Sequence, residues 1–140
     1  MDVFVYGTLT EPDRVAEVLD SFVFVGPATL TGLRLVEGRY PTLAPGGETA
    51  GRLLRTDEMA ALDEYEGVRE GLYLRESVPL DAPEGHPSRA AVYVGDPDRL
   101  DADATWPGDS PNADGGFAER VETYLERADV RVRLTPEKPV

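Results

Sequence analysis

At 140 residues the chain has the length of a single domain, and 41% apolar residues suffice for a sizeable core. Its formal net charge of −13, with Lys138 the only lysine, excludes non-specific binding to nucleic acid or to anionic membranes. The lack of cysteine excludes disulfides, thiol nucleophiles and thiolate metal sites and fits a cytoplasmic protein; no stretch reads as a membrane span or a signal peptide.

Residues 1–6 read as a buried strand, because Val3, Phe4, Val5 and Tyr6 are all β-branched or aromatic. The strand stops at Gly7, which tolerates backbone angles closed to other residues and lets another molecule approach the main chain. Thr8 follows with a hydroxyl and an amide. Thr10-Glu11-Pro12 then opens a helix over 11–20, capped by Thr10, with Val15, Val18 and Leu19 on its apolar side. Strand, glycine turn and helix start gather free N–H groups around an anion in many proteins. The same pattern also serves as an ordinary turn.

Residues 22–25 form a short apolar run that ends at Gly26-Pro27, and 28–36 alternate as a strand with Gly32 as a candidate bulge. Proline and glycine crowd 38–47, which reads as irregular with Tyr40-Pro41-Thr42-Leu43 extended inside it; 50–54 is a strand. Thr56-Asp57-Glu58-Met59 starts a helix that Gly67 stops. Strands follow at 72–80 and 89–94, joined by a turn-rich 81–88. The acidic stretch 96–116, rich in proline and glycine, reads as a long surface loop, with Trp106 as a lid or an anchor. Phe117, Val121, Tyr124, Leu125 and Ala128 recur at helical spacing, so 117–128 is a helix; 130–134 is a last strand and 135–140 a tail. Six or so strands with about three helices, not in βαβ alternation, give an α+β class: a small mixed, curled sheet or barrel with peripheral helices, in one domain over 1–134.

One residue breaks the pattern of the helix 57–66. With Met59 at zero and about 100° per residue, Leu62 lies near about −60° and Glu66 near about −20°. Glu66 therefore projects from the middle of the apolar stripe, Asp63 lies beside it, and Asp57, Glu58 and Glu64 turn toward solvent. A carboxylate aimed at a core is costly unless paired, hydrogen-bonded or protonated. Burial and the C-terminal end of the helix dipole both raise its pKa, into the range of a general base. The alternatives are a pair with a buried arginine, for which Arg75 is near in sequence, or a frayed last turn that leaves Glu66 exposed.

Val3-Phe4-Val5-Tyr6-Gly7-Thr8-Leu9, then Leu62-Asp63-Glu64-Tyr65-Glu66-Gly67, then Tyr73-Leu74-Arg75 together resemble the γ-glutamylcyclotransferase-like family, which includes the γ-glutamylamine cyclotransferases and AIG2-like proteins. Tyr40-Pro41, Gly51-Arg52-Leu53 and Ala91-Val92-Tyr93-Val94 fall where that family has its middle and late strands. The resemblance implies a small mixed barrel with one active-site cavity. It implies that Tyr6, Gly7, Thr8 and Leu9 form the substrate loop, whose main-chain N–H groups hold the α-carboxylate of a γ-glutamyl group, and that Glu66 is the catalytic acid/base. The implied activity is release of 5-oxoproline from a γ-glutamyl amine or amino acid. No cofactor or metal is needed, because the substrate's own α-amino group attacks its γ-carbonyl.

Tyr73 and Arg75 alternate with Leu72 and Leu74, so both are placed to contact substrate, although Arg75 equally suits an acidic partner. Tyr40 is a candidate for the pocket wall or for the core. A lone His86 in a turn makes no metal site, and the acidic run 96–103 lacks the spacing of a calcium loop, so it reads as a solvated face. A non-catalytic module that binds a small carboxylate in the same cavity is the competing reading. Oligomeric state is open.

The excess of acid and scarcity of lysine resemble proteins of a salt-rich, halophilic cytoplasm, where charge repulsion is screened over about 3 Å at 1 M salt. An acidic protein of a GC-rich genome has a similar composition. A salt-adapted chain loses stability as salt is withdrawn; full stability on refolding without added salt would count against that origin.

Overall fold

The computed structural model describes residues 1–106 and 116–135. Its strands are β1 (Asp2–Val5), β2 (Val23–Val36), β3 (Thr42–Arg55), β4 (Tyr73–Asp81), β5 (Arg89–Gly95) and β6 (Arg131–Leu134). All four residues of β1 are buried, as a strand flanked on both sides requires. It pairs antiparallel with β3 and parallel with β5. The six strands close into a mixed barrel in the order β1-β3-β2-β6-β4-β5, the α+β class and curled sheet that the sequence implies.

Around it lie α1 (Pro12–Val18), α2 (Met59–Glu66), the single turn α3 (Pro97–Leu100) and α4 (Phe117–Arg127). Among the described residues no helix is long and apolar enough to cross a membrane. Alternation sorts the apolar residues into two layers. Phe4, Leu53, Val78, Val92 and Val94 fill the barrel with Val121 and Leu125 of α4. Val3, Val5, Leu54, Ala91 and Tyr93 face outward, beneath Val15 of α1 and Leu62 of α2.

Several boundaries differ from the sequence reading. The run 22–25 and the strand 28–36 are one strand, since a bulge between Phe24 and Gly26 absorbs the Gly26-Pro27 break. The expected irregular stretch 38–47 belongs mostly to β3, which pairs with β2 from Thr42 onward. A second irregularity falls between Thr31 and Leu33, as Gly32 suggested, opposite Pro45-Gly46-Gly47. Backbone groups freed there find a partner in α4: the Tyr124 hydroxyl donates to the Gly32 carbonyl (2.6 Å) and accepts from the Gly46 N–H (2.9 Å). Thr10 does not cap α1; its hydroxyl donates to the Gly7 carbonyl at 2.6 Å. Glu58 does not turn to solvent but accepts from the Asp20 and Ser21 N–H groups (3.3 and 2.6 Å).

Within the presumed loop 96–116, Asp96 caps α3 by accepting from the Asp98 N–H at 3.0 Å, with Pro97 at the first helical position. Trp106 is an anchor, 2% exposed, with its ring edge-on to Phe117 and Tyr124 (centroids 6.1 and 5.5 Å). The rest of that loop, 107–115, and the tail beyond Thr135 lie outside the described residues.

Gly51 controls how closely β3 packs beneath the end of β1. A Cβ there would collide with the Val5 carbonyl oxygen and lie 2.7 Å from Phe4 Cζ. Because the first obstacle is backbone, relief requires β1 to shift. Gly51→Ala is expected to cost at least about 2 kcal/mol by denaturant titration; wild-type stability would show that β1 is held less tightly than its packing indicates.

Candidate active site

α2 ends where Gly67 takes the left-handed conformation (φ 68°, ψ 35°), and its N–H and that of Val68 close on the Glu64 and Asp63 carbonyls. The last turn is therefore capped, not frayed, and Glu66 keeps its helical direction. It points into a cavity of about 330 Å³ whose wall also includes Tyr6, Gly7, Leu9, Tyr40, Pro41, Tyr65, Leu72, Tyr73 and Tyr93.

The Glu66 carboxylate makes no hydrogen bond or ion pair among the described residues. Burial alone pushes its pKa from 4.5 to about 7. Arg75 is not its partner. Arg75 binds the neighbouring Asp63 (Nη1 to Oδ2, 3.2 Å), the acidic partner that was its alternative role, and is not among the residues of the cavity wall. Its side chain sits on the outer face of β4 and meets the first acid it reaches on α2. Asp63 also accepts from the Tyr93 hydroxyl at 2.7 Å. Of the two acids on this face of α2, one is neutralised and the other is left bare.

Three phenols surround Glu66. Tyr6 donates to the Tyr93 carbonyl (2.6 Å), Tyr73 to the Pro41 carbonyl (2.7 Å) and Tyr93 to Asp63. Burial raises all three phenol pKa values, and the charge of Glu66 raises them further. Each ring is thus held protonated and fixed in direction.

The chain leaves β1 at Tyr6 into a 3-10 turn over Gly7–Thr10, to which Thr8 contributes its main chain. Gly7 has a φ of 68°, a left-handed angle that disfavours a side chain. The turn is held by the Thr10–Gly7 bond and by Arg52, whose Nη1 donates to the Thr10 carbonyl at 2.9 Å. The first N–H groups of such a turn have no acceptor within it, so its start can receive an anion.

Glu66, Tyr6, Gly7, Leu9, Tyr40 and Tyr73 are therefore brought together as the sequence suggested. Sequence reasoning missed Tyr65, Leu72, Pro41 and Tyr93 in the wall. Tyr93 carried a usable signal: it alternates with the inward Val92 and Val94 and so shares the outer face with α2. Glu76 was missed as well; its pKa is also raised to about 7, by burial and then by the charge of Glu122. It lines a separate acidic depression between β4 and α4, away from the Gly7 turn. Among the described residues no group of three or more His, Cys, Asp or Glu side chains is arranged to hold a metal.

Residues 3–110 match the family model described as Gamma-glutamyl cyclotransferase, AIG2-like. The chain belongs to this family. Similar solved structures include an uncharacterized protein from Homo sapiens (21% identity, TM-score 0.60, covering 91% of this chain and 79% of that one). A gamma-glutamyl cyclotransferase (19% identity, TM-score 0.59) matches over the same shares of the two chains, 91% and 79%. The ytfP protein of Escherichia coli shares 27% identity at a TM-score of 0.52, over 75% of this chain and 93% of its own. No curated protein matches the sequence. The likenesses below 25% identity establish the γ-glutamyl cyclotransferase-like barrel and no more.

Because the folded pKa of Glu66 lies above its ordinary 4.5, the native state binds more protons between those values, and stability falls as pH rises from about 4.5 through about 7. Glu66→Gln removes that penalty. The variant is expected to melt above wild type at pH 8, by up to about 3 kcal/mol, and to show no gain at pH 4. Equal melting temperatures at pH 8 would mean that Glu66 is well solvated.

Proposed function

We propose that the protein is a γ-glutamyl cyclotransferase that releases 5-oxoproline and a free amine or amino acid from a γ-glutamyl amide. The observation that carries this reading is Glu66, a carboxyl with no partner among the described residues and a pKa raised to about 7, in a cavity shared with the Gly7 turn. The family match supports the substrate class.

In the proposed reaction the glutamyl α-carboxylate sits against the main chain of Tyr6-Gly7-Thr8-Leu9. The α-amino nitrogen forms a bond to the γ-carbonyl carbon, and the bond from that carbon to the leaving nitrogen breaks. Glu66 accepts a proton from the α-amino group and returns it to the leaving amine, so the carboxylate is regenerated and protons balance. A pKa near the working pH lets one group serve both transfers. Ring closure within one molecule gains from high effective concentration, and a cavity that holds the chain folded makes that gain available. The fixed phenols wall in the reacting atoms and keep water out of the ring-closing step.

This reading gives Glu66 an ionised starting state. Activity on γ-glutamyl substrates should therefore rise with pH through about 7 as the carboxyl ionises. Glu66→Gln should lower kcat by at least about 10²-fold with little change in KM, measured as 5-oxoproline release by mass spectrometry. Near-wild-type turnover in the variant would overturn the acid/base assignment. Binding of γ-glutamyl compounds without any lactam would instead favour the non-catalytic carboxylate-binding module.

A further inference from the structure

The wall of the cavity divides by how its phenols are used. Tyr6, Tyr73 and Tyr93, around Glu66, have their hydroxyl protons committed to a carbonyl or to Asp63. Tyr40 and Tyr65 differ. They are 56% and 43% exposed, and their hydroxyls make no hydrogen bond among the described residues. Both nevertheless line the same cavity, so they form its outer rim. Their exposure at the mouth of the cavity leaves both rings accessible to a ligand that enters it.

Among the described residues no Arg, Lys or His lines the cavity. Of the cations near it, Arg75 is bound to Asp63 and Arg52 donates to the Thr10 carbonyl. Arg39 and Arg69 are near in sequence but are exposed and outside the wall. A second carboxylate on a substrate would meet the charge of Glu66 and a strongly acidic chain, with no cation of the described wall to neutralise it. A cavity of about 330 Å³ is at the small end of ligand-sized pockets, with room for a glutamyl group and one ring beyond it.

Resting on the cyclotransferase reading above, we propose that Tyr40 and Tyr65 form the leaving-amine subsite and select amines that bear an aromatic ring and no carboxylate. With the glutamyl end at the Gly7 turn and its γ-carbonyl beside Glu66, the leaving group would project outward to the rim that carries these two rings. The preferred substrates are γ-glutamyl arylalkylamines, ahead of small γ-glutamyl alkylamines and well ahead of γ-glutamyl amino acids with acidic side chains. Recognition is by ring face and edge, so the rings of Tyr40 and Tyr65 matter and their hydroxyls do not.

The test compares kcat/KM for γ-glutamylphenethylamide, γ-glutamylethylamide and γ-glutamylglutamate, read as 5-oxoproline release. The expected order is phenethylamide over ethylamide by about tenfold, with γ-glutamylglutamate poorest. Tyr65→Ala and Tyr40→Ala should each shrink the phenethylamide-to-ethylamide ratio, mainly through the KM of the aromatic substrate, and Tyr65→Phe should keep it. A wild-type ratio near one, a ratio that survives both alanine variants, or a preference for γ-glutamylglutamate would overturn the subsite. If no compound yields lactam, the cyclotransferase reading fails separately. Calorimetric affinities for the same compounds then decide the rim: a phenethylamide preference abolished by Tyr65→Ala sustains it, and equal or absent binding overturns it.

Discussion

Closure of the barrel through β1 is the constraint on which the site depends. β1 has only four residues, but both its edges are paired and every side chain on it is buried. Even Asp2 is fully buried, its carboxylate met by Arg55 of the paired strand at 2.7 and 3.0 Å. Breaking a buried ion pair is costly, and the β1–β3 ladder keeps these two partners opposite each other. The parallel pairing with β5 has the further effect that the chain leaves β1 beside Tyr93. The Tyr6 hydroxyl then reaches the Tyr93 carbonyl, across 87 positions of sequence. Without that closure the Gly7 turn and the wall of the cavity would be unrelated surfaces.

The second organising feature is the treatment of two acids on one helix. Asp63 and Glu66 lie three positions apart on α2 and face the same layer. Asp63 receives a guanidinium and a phenol; Glu66 receives neither and is desolvated. Asp63 is thereby tied into an ion pair, whereas burial raises the pKa of Glu66 to about 7. The arrangement has a thermodynamic cost, because an ionised, desolvated Glu66 destabilises the native state. That cost accords with the proton-transfer role proposed for Glu66.

Much of this was legible in the sequence because it depended on local spacing. The direction of Glu66 follows from 3.6 residues per turn, and Gly67 marks the end of the helix with the left-handed angle it adopts. The strand 1–6 and the helix 117–128 carried enough apolar periodicity to stand alone. Boundaries failed where backbone irregularity was absorbed into a ladder. Gly26-Pro27 and Pro45-Gly46-Gly47 look like breaks, but the long β2–β3 hairpin runs through both with a register shift beside each, and the groups freed near Gly32 and Gly46 are satisfied by Tyr124 from a distant helix. A single-turn helix such as α3, set by the Asp96 cap and Pro97, is too short for periodicity to reveal.

By itself the sequence determined two local features: a carboxylate at 66 aimed from the apolar stripe of its helix, and a glycine turn at 7 after a buried strand. Those properties reside in residue type and near-neighbour geometry, so they survive without knowledge of the fold; Tyr6 entered through the family resemblance, and Tyr40 was open between wall and core. Only the tertiary structure decided how they were partnered. It gave Arg75 to Asp63, left Glu66 bare, and ringed it with Tyr6, Tyr73 and Tyr93 while Tyr65 joined Tyr40 at the rim. These outcomes are competitions among several acids and several donors, and they are settled by which strands lie side by side. Barrel closure sets that adjacency through pairings distant in sequence, which no local pattern encodes.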